Sequence, residues 1–155
     1  MKIMFVCLGN ICRSPLAQAE FERQARADGR EFSTESAGTS DWEVGGLPDA
    51  RMRRTARAHG LDLDHRARQF QASDLDEYDL ILAMDRDNLR QILSLARSEE
   101  QRRKARLFRD FDPEAGPGAE VPDPYYGKAD GFEQVYRIVE RSCRRLLAAL
   151  KQAGQ

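Results

Sequence analysis

The sequence is short of the features that mark membrane proteins, disulfide-rich secreted domains and nucleic-acid-binding proteins. It has no apolar run near the roughly 18 residues of a membrane-spanning helix, and its first residues enter a strand pattern without a signal-peptide pattern. Its three cysteines are an odd number, so we expect free thiols in a reducing compartment. The 25 basic and 26 acidic residues leave a net charge of −1. We therefore expect a soluble, cytoplasmic protein with neither nucleic-acid binding nor membrane insertion.

The chain also lacks internal repeats and low-complexity tracts. A chain of 155 residues has the size of one domain. Such a domain buries roughly two-thirds of the surface that its unfolded chain exposes. We expect residues 1–155 to form a single domain.

Four runs along the chain have the length and residue types of β-strands. Apart from Lys2, those at residues 2–6 and 80–84 are apolar throughout, as in strands that are buried on both faces of a parallel sheet. Those at residues 31–38 and 105–108 are weaker, and the first of them is expected near a sheet edge.

The segments between these runs carry helical periodicity or helix-end signals. Ser14 is expected to cap the first helix with Pro15 at its first helical position, and Asp85 to cap a later one. Further helices are predicted over residues 49–59, 72–75 and 130–150, while residues 99–104 are interpreted as a charged connection and 112–124 as a surface loop. Alternating strands and helices predict an α/β fold with helices on both faces of a parallel sheet, where ligands bind at the carboxyl ends of the strands.

The turn between the first strand and the first helix has the residues of an anion-binding loop with a reactive thiol. Cys7 ends the strand, and the N–H groups after it lead into a helix N-terminus, whose field favours a thiolate and binds oxyanions. Gly9 permits close approach and Asn10 tolerates a left-handed backbone. Arg13 can bind two phosphate oxygens at once. These residues predict phosphoryl transfer through a cysteinyl-phosphate intermediate.

Such a reaction needs an acid that protonates the leaving oxygen and later activates water. Asp123 is the leading candidate, because its proline-rich loop can present a carboxyl group to a cleft. The neighbouring Tyr125 and Tyr126 are suited to flank an aromatic substrate. Ser14 is placed to donate a hydrogen bond to the thiolate.

The two motifs closely resemble those of the low-molecular-weight protein tyrosine phosphatases. They read VCLGNICRSP at residues 6–15 and DPYY at residues 123–126. Other segments similar to that family are SAGT at 36–39, DW at 41–42, HRARQ at 65–69, MD at 84–85 and NL at 88–89. The resemblance thus extends over nearly the whole chain.

The resemblance implies a three-layer α/β fold whose four-stranded parallel sheet has the order 2-1-3-4. It also implies hydrolysis of protein phosphotyrosine and small aryl phosphates without a metal or another cofactor. The implied catalytic residues are Cys7 as nucleophile, Arg13 as phosphate clamp, Asp123 as general acid and Ser14 as thiolate partner. The implied substrate-binding residues are Leu8, Gly9, Asn10, Ile11, Cys12, Trp42, Tyr125 and Tyr126.

Three further residues have supporting roles in this interpretation. Ser36 and His65 are implied to hold Asn10 in its strained conformation. Cys12 corresponds to a second loop cysteine that traps an oxidised nucleophile as a reversible disulfide, with space-filling as the alternative. Cys143, on the apolar face of the last helix, is predicted to lie in the core.

The implied partner is a tyrosine-phosphorylated protein, a tyrosine kinase being one candidate, and the chain is expected to be a monomer or a weak dimer.

Four alternative functions stay open. Bacterial protein arginine phosphatases have a similar fold and loop but carry threonine at the position of Ile11. Thioredoxin-coupled arsenate reductases need two further cysteines, whereas this chain adds only Cys143. A phosphate-binding module without turnover and a phosphocysteine carrier have no need of Arg13 together with Asp123. The presence of both residues beside Cys7 favours the phosphatase.

Overall fold

In the computed structural model, which describes residues 1–125, 127–128 and 130–154, strands alternate with helices. The strands are β1 (Lys2–Cys7), β2 (Ser33–Gly38), β3 (Leu80–Ala83) and β4 (Ala105–Leu107). The helices are α1 (Arg13–Ala27), α2 (Ala50–Ala58), α3 (Asp74–Glu77), α4 (Arg86–Ser94), α5 (Glu99–Lys104) and α6 (Asp130–Ala153), with a 3₁₀ turn at Phe108–Phe111. Within these residues, no helix is both long enough and apolar enough to cross a membrane.

The strands form one parallel sheet in the order β2-β1-β3-β4. This order and the parallel direction confirm the predicted fold class. The central strand β1 pairs along its whole length with β2, from Lys2 opposite Ser33 to Cys7 opposite Gly38. The carboxyl ends of β1 and β2 therefore lie side by side, which brings the turn after Cys7 against the residues that follow Gly38.

The alternation of side chains along β1 divides the core into two layers. Ile3 and Phe5 point to one face and pack with residues of α1, α2 and α6. Met4 and Val6 point to the other face and pack with Leu75 of α3 and with the α4 side of the sheet. Helices thus cover both faces, as the sequence predicts.

Two predictions about helices are wrong. Cys12, not Ser14, is the cap residue of α1, and it makes no side-chain capping bond; Pro15 is accordingly the third helical residue and not the first. The Ser14 hydroxyl instead contacts Cys7. Residues 99–104 form α5 rather than a connection. This helix buries no residue and shows no apolar stripe, but Ser98 caps it, and its acidic first turn and basic last turn suit the helix dipole.

Other local predictions are confirmed. Asp85 caps α4, accepting a hydrogen bond from the N–H of Asn88 at 2.7 Å. The short third helix spans Asp74–Glu77, two residues further on than predicted. Cys143 is fully buried, and its thiol donates to the carbonyl of Ala17 at 3.6 Å.

Candidate active site

A cleft of about 110 Å³ opens at the carboxyl end of β1. Residues of the turn line its floor, namely Cys7, Leu8, Gly9, Ile11, Cys12 and Arg13. Trp42 and Glu43, from the connection between β2 and α2, and Asp123 and Tyr125 complete its walls. The cleft therefore collects most of the residues that sequence analysis assigns to catalysis and substrate binding, together with Glu43, which it missed.

The sulfur of Cys7 lies between two polar groups of its own turn. The N–H of Asn10 donates to Sγ at 3.2 Å, and Ser14 Oγ lies 3.0 Å from Sγ. Ser14 Oγ also accepts a hydrogen bond from Asn10 Nδ2 at 2.8 Å. A thiolate has no hydrogen to give, so the Ser14 hydroxyl is the donor of this contact whenever the sulfur is ionised. Both contacts suit a negatively charged sulfur.

Asn10 is buried at the centre of a hydrogen-bond network that supports the turn, and it does not line the cleft. Its φ is 58°, the one positive φ of a non-glycine residue in the described part of the chain, as expected for this position. Its Nδ2 donates to Ser36 Oγ at 3.0 Å, and its Oδ1 accepts from His65 Nε2 at 3.2 Å and the N–H of Arg68 at 3.0 Å. Ser36 and His65 thus lie where loop support is expected, and Arg68 is an additional support.

The Asn10 network defines the hydrogen position on His65. The backbone N–H of Arg68 can only donate, so the Asn10 atom that it contacts is the carbonyl oxygen. His65 must then carry its hydrogen on Nε2. Burial lowers the pKa of His65, which favours the neutral ring, and the neutral ring makes this bond with one hydrogen.

Gly38 allows β2 to approach the turn closely. A Cβ at this position would lie 2.7 Å from the carbonyl oxygen of Leu8. The backbone past Gly38 continues the contact, since the N–H of Thr39 donates to Cys7 O at 2.9 Å and that of Ser40 donates to Leu8 O at 3.0 Å. The end of β2 therefore supports the turn from one side.

Arg13 is 2% exposed and is held by groups from distant parts of the chain. Its Nη1 donates to Asp85 Oδ2 at 2.8 Å and to Val121 O at 3.1 Å, and its Nη2 lies 3.5 Å from Asp123 Oδ2. Burial acts to lower the pKa of Arg13, but the negative charges of Cys7, Asp85 and Asp123 outweigh it and raise that pKa. The sequence predicts Asp85 as a helix cap but not as a partner of Arg13, although Asp85 follows β3 at the same sheet edge.

The remaining cleft residues form a partly exposed rim. The side chain of Asp123 is 38% exposed, and its Oδ1 accepts a hydrogen bond from the N–H of Tyr125 at 3.0 Å. Trp42 is 75% exposed, so it does not pack into the core. A phosphate on the floor of this cleft would reach the thiol and the guanidinium, while its substituent would lie at this rim.

Comparison with known proteins shows what such a site belongs to. The model of the family described as low molecular weight phosphotyrosine protein phosphatase matches residues 2–155. The chain belongs to this family. The predicted resemblance and the predicted enzyme class, protein-tyrosine phosphatase, are thereby confirmed.

Individual phosphatases resemble the chain over nearly its full length. A low molecular weight protein-tyrosine-phosphatase of Streptomyces coelicolor is 44% identical to this chain. The match covers 97% of this chain and 94% of the Streptomyces protein. The crystal structure of a protein tyrosine phosphatase from Entamoeba histolytica has a TM-score of 0.94 and 36% identity, covering 100% of this chain and 99% of its own. A Drosophila arginine phosphatase has a TM-score of 0.88 and 31% identity, covering 97% and 98%.

Tyr126 and Cys12 are the two remaining residues with predicted roles. Tyr126 lies outside the described residues. Cys12 is 4% exposed, and burial raises the pKa of its thiol, which is free like those of Cys7 and Cys143. The protective disulfide between Cys7 and Cys12 stays a prediction.

Proposed function

We propose that this phosphatase hydrolyses protein phosphotyrosine and small aryl phosphates through a cysteinyl-phosphate intermediate on Cys7, without a metal. The observation that carries the proposal is the convergence of Cys7 Sγ, the Arg13 guanidinium and the Asp123 carboxyl group on one cleft. A nucleophile, a cation for the transferred group and a proton donor are the three parts that two-step phosphoryl transfer needs.

In the first step, the Cys7 thiolate attacks phosphorus. The S–P bond forms, the bond from phosphorus to the tyrosine oxygen breaks, and Asp123 gives its proton to that oxygen. Arg13 contacts two of the three remaining phosphate oxygens, where negative charge is concentrated. Arg13 is already bound to Asp85 and Val121, so its orientation does not have to be established during the reaction.

In the second step, water attacks the phosphorus of the intermediate. The Asp123 carboxylate accepts a proton from this water, an O–P bond forms, and the S–P bond breaks to release phosphate. The electron pair returns to sulfur, where the N–H of Asn10 and the Ser14 hydroxyl stabilise it. Release of phosphate thus returns the enzyme to its starting state, with a thiolate at Cys7 and a protonated Asp123.

The rim favours a flat, apolar substituent on the phosphate. Trp42 and Tyr125 offer aromatic surfaces at the cleft mouth, and Ile11 adds an aliphatic one. A phosphotyrosine ring fits these apolar surfaces. We propose tyrosine-phosphorylated proteins as substrates, with tyrosine kinases among them, and residues 1–155 as one catalytic domain.

The proposal is tested by turnover and by trapping of the intermediate. Wild type should release phosphate from a phosphotyrosine peptide, and acid quenching of a ³²P-labelled substrate should trap label on Cys7. Cys7→Ser should reduce turnover to background while still binding inorganic phosphate. Asp123→Ala should lower turnover of phenyl phosphate about 10²-fold or more but that of dinitrophenyl phosphate much less, because only the first leaving group needs a proton.

Several outcomes would contradict the proposal. Absence of wild-type turnover together with phosphate binding would indicate a binding module. A trapped phosphocysteine that water does not release would indicate a carrier. Preference for a phosphoarginine peptide over the matched phosphotyrosine peptide would assign the chain to the arginine phosphatases.

A further inference from the structure

A cation that does not itself line the cleft lies against Tyr125, which does. Arg51, in the first turn of α2, has a side chain that is 42% exposed. Neither the chemical steps nor the network around Asn10 uses it. Its contacts nevertheless reach both halves of the catalytic machinery.

On one side, Arg51 is joined to the phosphate-binding turn through Asp49. Arg51 Nε donates to Asp49 Oδ1 at 3.2 Å, and Arg51 Nη2 donates to Asp49 Oδ2 at 2.9 Å. Asp49 also caps α2 through the N–H groups of Arg51 and Met52, and its own N–H donates to Ile11 O at 2.8 Å. The guanidinium is therefore held in one orientation by a carboxylate whose backbone is bonded to the turn.

On the other side, the same guanidinium contacts the segment that carries the general acid. Its Cζ lies 5.2 Å from the centroid of the Tyr125 ring and 4.8 Å from that of Phe132, within the range of cation–π attraction. The N–H of Tyr125 donates to Asp123 Oδ1 at 3.0 Å. Phe132 is buried in the first turn of α6. A continuous set of contacts thus runs from Ile11 to Asp123.

We propose that Arg51 is a positioning residue for the general acid: by stacking on Tyr125 while bound to Asp49, it holds the Asp123 carboxyl group over the phosphate-binding turn. The inference rests on the proposed function, because it assumes that Asp123 is the proton donor. Asp123 is itself partly exposed and belongs to a loop, so it depends on neighbouring contacts for its placement. Arg51 supplies such a contact from a helix.

The test compares leaving groups across a series of variants. We use phenyl phosphate, which needs a proton on its leaving oxygen, and dinitrophenyl phosphate, which does not. Arg51→Met keeps an unbranched apolar side chain of similar reach but removes the charge and the bond to Asp49. Arg51→Lys keeps the charge but loses the planar fork. Arg54→Met, on the next turn of α2 where the side chain is exposed, removes one charge from the same helix as the matched control.

For Arg51→Met, we expect kcat/KM for phenyl phosphate to fall roughly tenfold, a fraction of the 10²–10⁴-fold effect of a general acid, and that for dinitrophenyl phosphate to change little. For phenyl phosphate, kcat/KM of Arg51→Lys should fall between those of wild type and Arg51→Met. Arg54→Met should keep the wild-type ratio of kcat/KM for the two substrates. Burst titration of the active fraction and thermal unfolding are measured for each variant. A merely structural loss would lower kcat/KM for both substrates by the same factor.

The outcomes separate the inference from the proposed function. Suppose that Asp123→Ala shows the expected leaving-group dependence, but that Arg51→Met and Arg51→Lys keep the wild-type ratio of kcat/KM for the two substrates, whether or not both values fall by the same factor. The positioning role is then overturned while the phosphatase mechanism stands. If wild type shows no turnover, or Asp123→Ala keeps the wild-type ratio, the proposed mechanism itself fails.

Discussion

Arg13 carries a buried positive charge that protein carboxylates, rather than water, stabilise. The carboxylate that accepts its hydrogen bond is that of Asp85, and Asp123 Oδ2 lies 3.5 Å from Arg13 Nη2. Asp85 has a second function, since it also caps α4. A substitution at this residue must therefore separate the charge from the cap.

Asp85→Asn makes that separation, because asparagine caps helices about as well as aspartate but brings no negative charge. We expect kcat/KM for phosphotyrosine peptides to fall roughly tenfold, through loss of a charge-assisted bond that orients Arg13. The midpoint of thermal unfolding should shift by only a few degrees. Steady-state kinetics and calorimetry measure the two effects. Asp85→Ala is the comparison, and it should lose both orientation and cap; wild-type kinetics in Asp85→Asn would contradict the orienting role.

His65 makes the stability of the phosphate-binding turn depend on pH. Burial lowers the pKa of His65 below the ordinary value of 6.5, so the unfolded chain takes up a proton at a higher pH than the folded chain. The contribution of His65 is therefore complete above about pH 6.5 and is lost as the pH falls towards the pKa of the folded state.

His65→Gln tests this dependence, because the glutamine amide can donate to Asn10 Oδ1 without titrating. The unfolding free energy of wild type should fall more steeply between pH 7 and pH 5 than that of His65→Gln. Denaturant unfolding at a series of pH values measures the difference. Parallel curves for the two proteins would show that His65 does not carry the effect.

At the scale of elements, the active site depends on how closely the end of β2 approaches the turn after β1. Strand pairing places Gly38 beside Cys7, and the absence of a side chain at Gly38 lets the Leu8 carbonyl lie against the strand. The three atoms nearest to an added Cβ are all backbone atoms, so rotation of a side chain cannot relieve these contacts. The turn itself would have to move.

Gly38→Ala should therefore lower both stability and activity. We expect about 1–3 kcal/mol of destabilisation, as for other overpacked sites, and a larger relative loss in kcat/KM than in expression of folded protein. Gly116→Ala is the matched control, since no atom of the described residues outside its immediate chain neighbours lies within 4 Å of its added Cβ. Calorimetry and phosphatase assays of both variants are the measurement. Equal behaviour of the two variants would exclude a steric role for Gly38.

At the scale of the whole molecule, the two core layers place the catalytic parts without containing them. Phe5 and Leu16 pack with α6 on one face, while Met4 and Ile81 pack on the other. The cleft lies at the carboxyl edge of this sheet, where β1 and β3 end beside each other. Cys7, Asp85 and the segment before α6 thus meet because the strands are parallel and the helices return each connection to the same edge.

Much of this arrangement can be predicted from short stretches of sequence. The strand at 2–6, the turn that follows it, the cap at Asp85 and the amphipathic last helix all depend on residues a few positions apart. The missed features have a different origin. Helix α5 has no apolar stripe because it buries no residue, and Ser14 leaves its expected capping role because a long-range network centred on Asn10 uses its hydroxyl.

The sequence by itself determined which residues form the turn, which residue is the candidate acid and the alternation that makes a parallel sheet, because each follows from local backbone preference or residue type. Only the tertiary structure decided which groups hold those residues in place. Arg13 meets Asp85 and Val121 across 72 and 108 positions of the chain, and Arg51 reaches Tyr125 from another helix. Such contacts depend on how the packed elements bring distant residues together, and no local pattern encodes that.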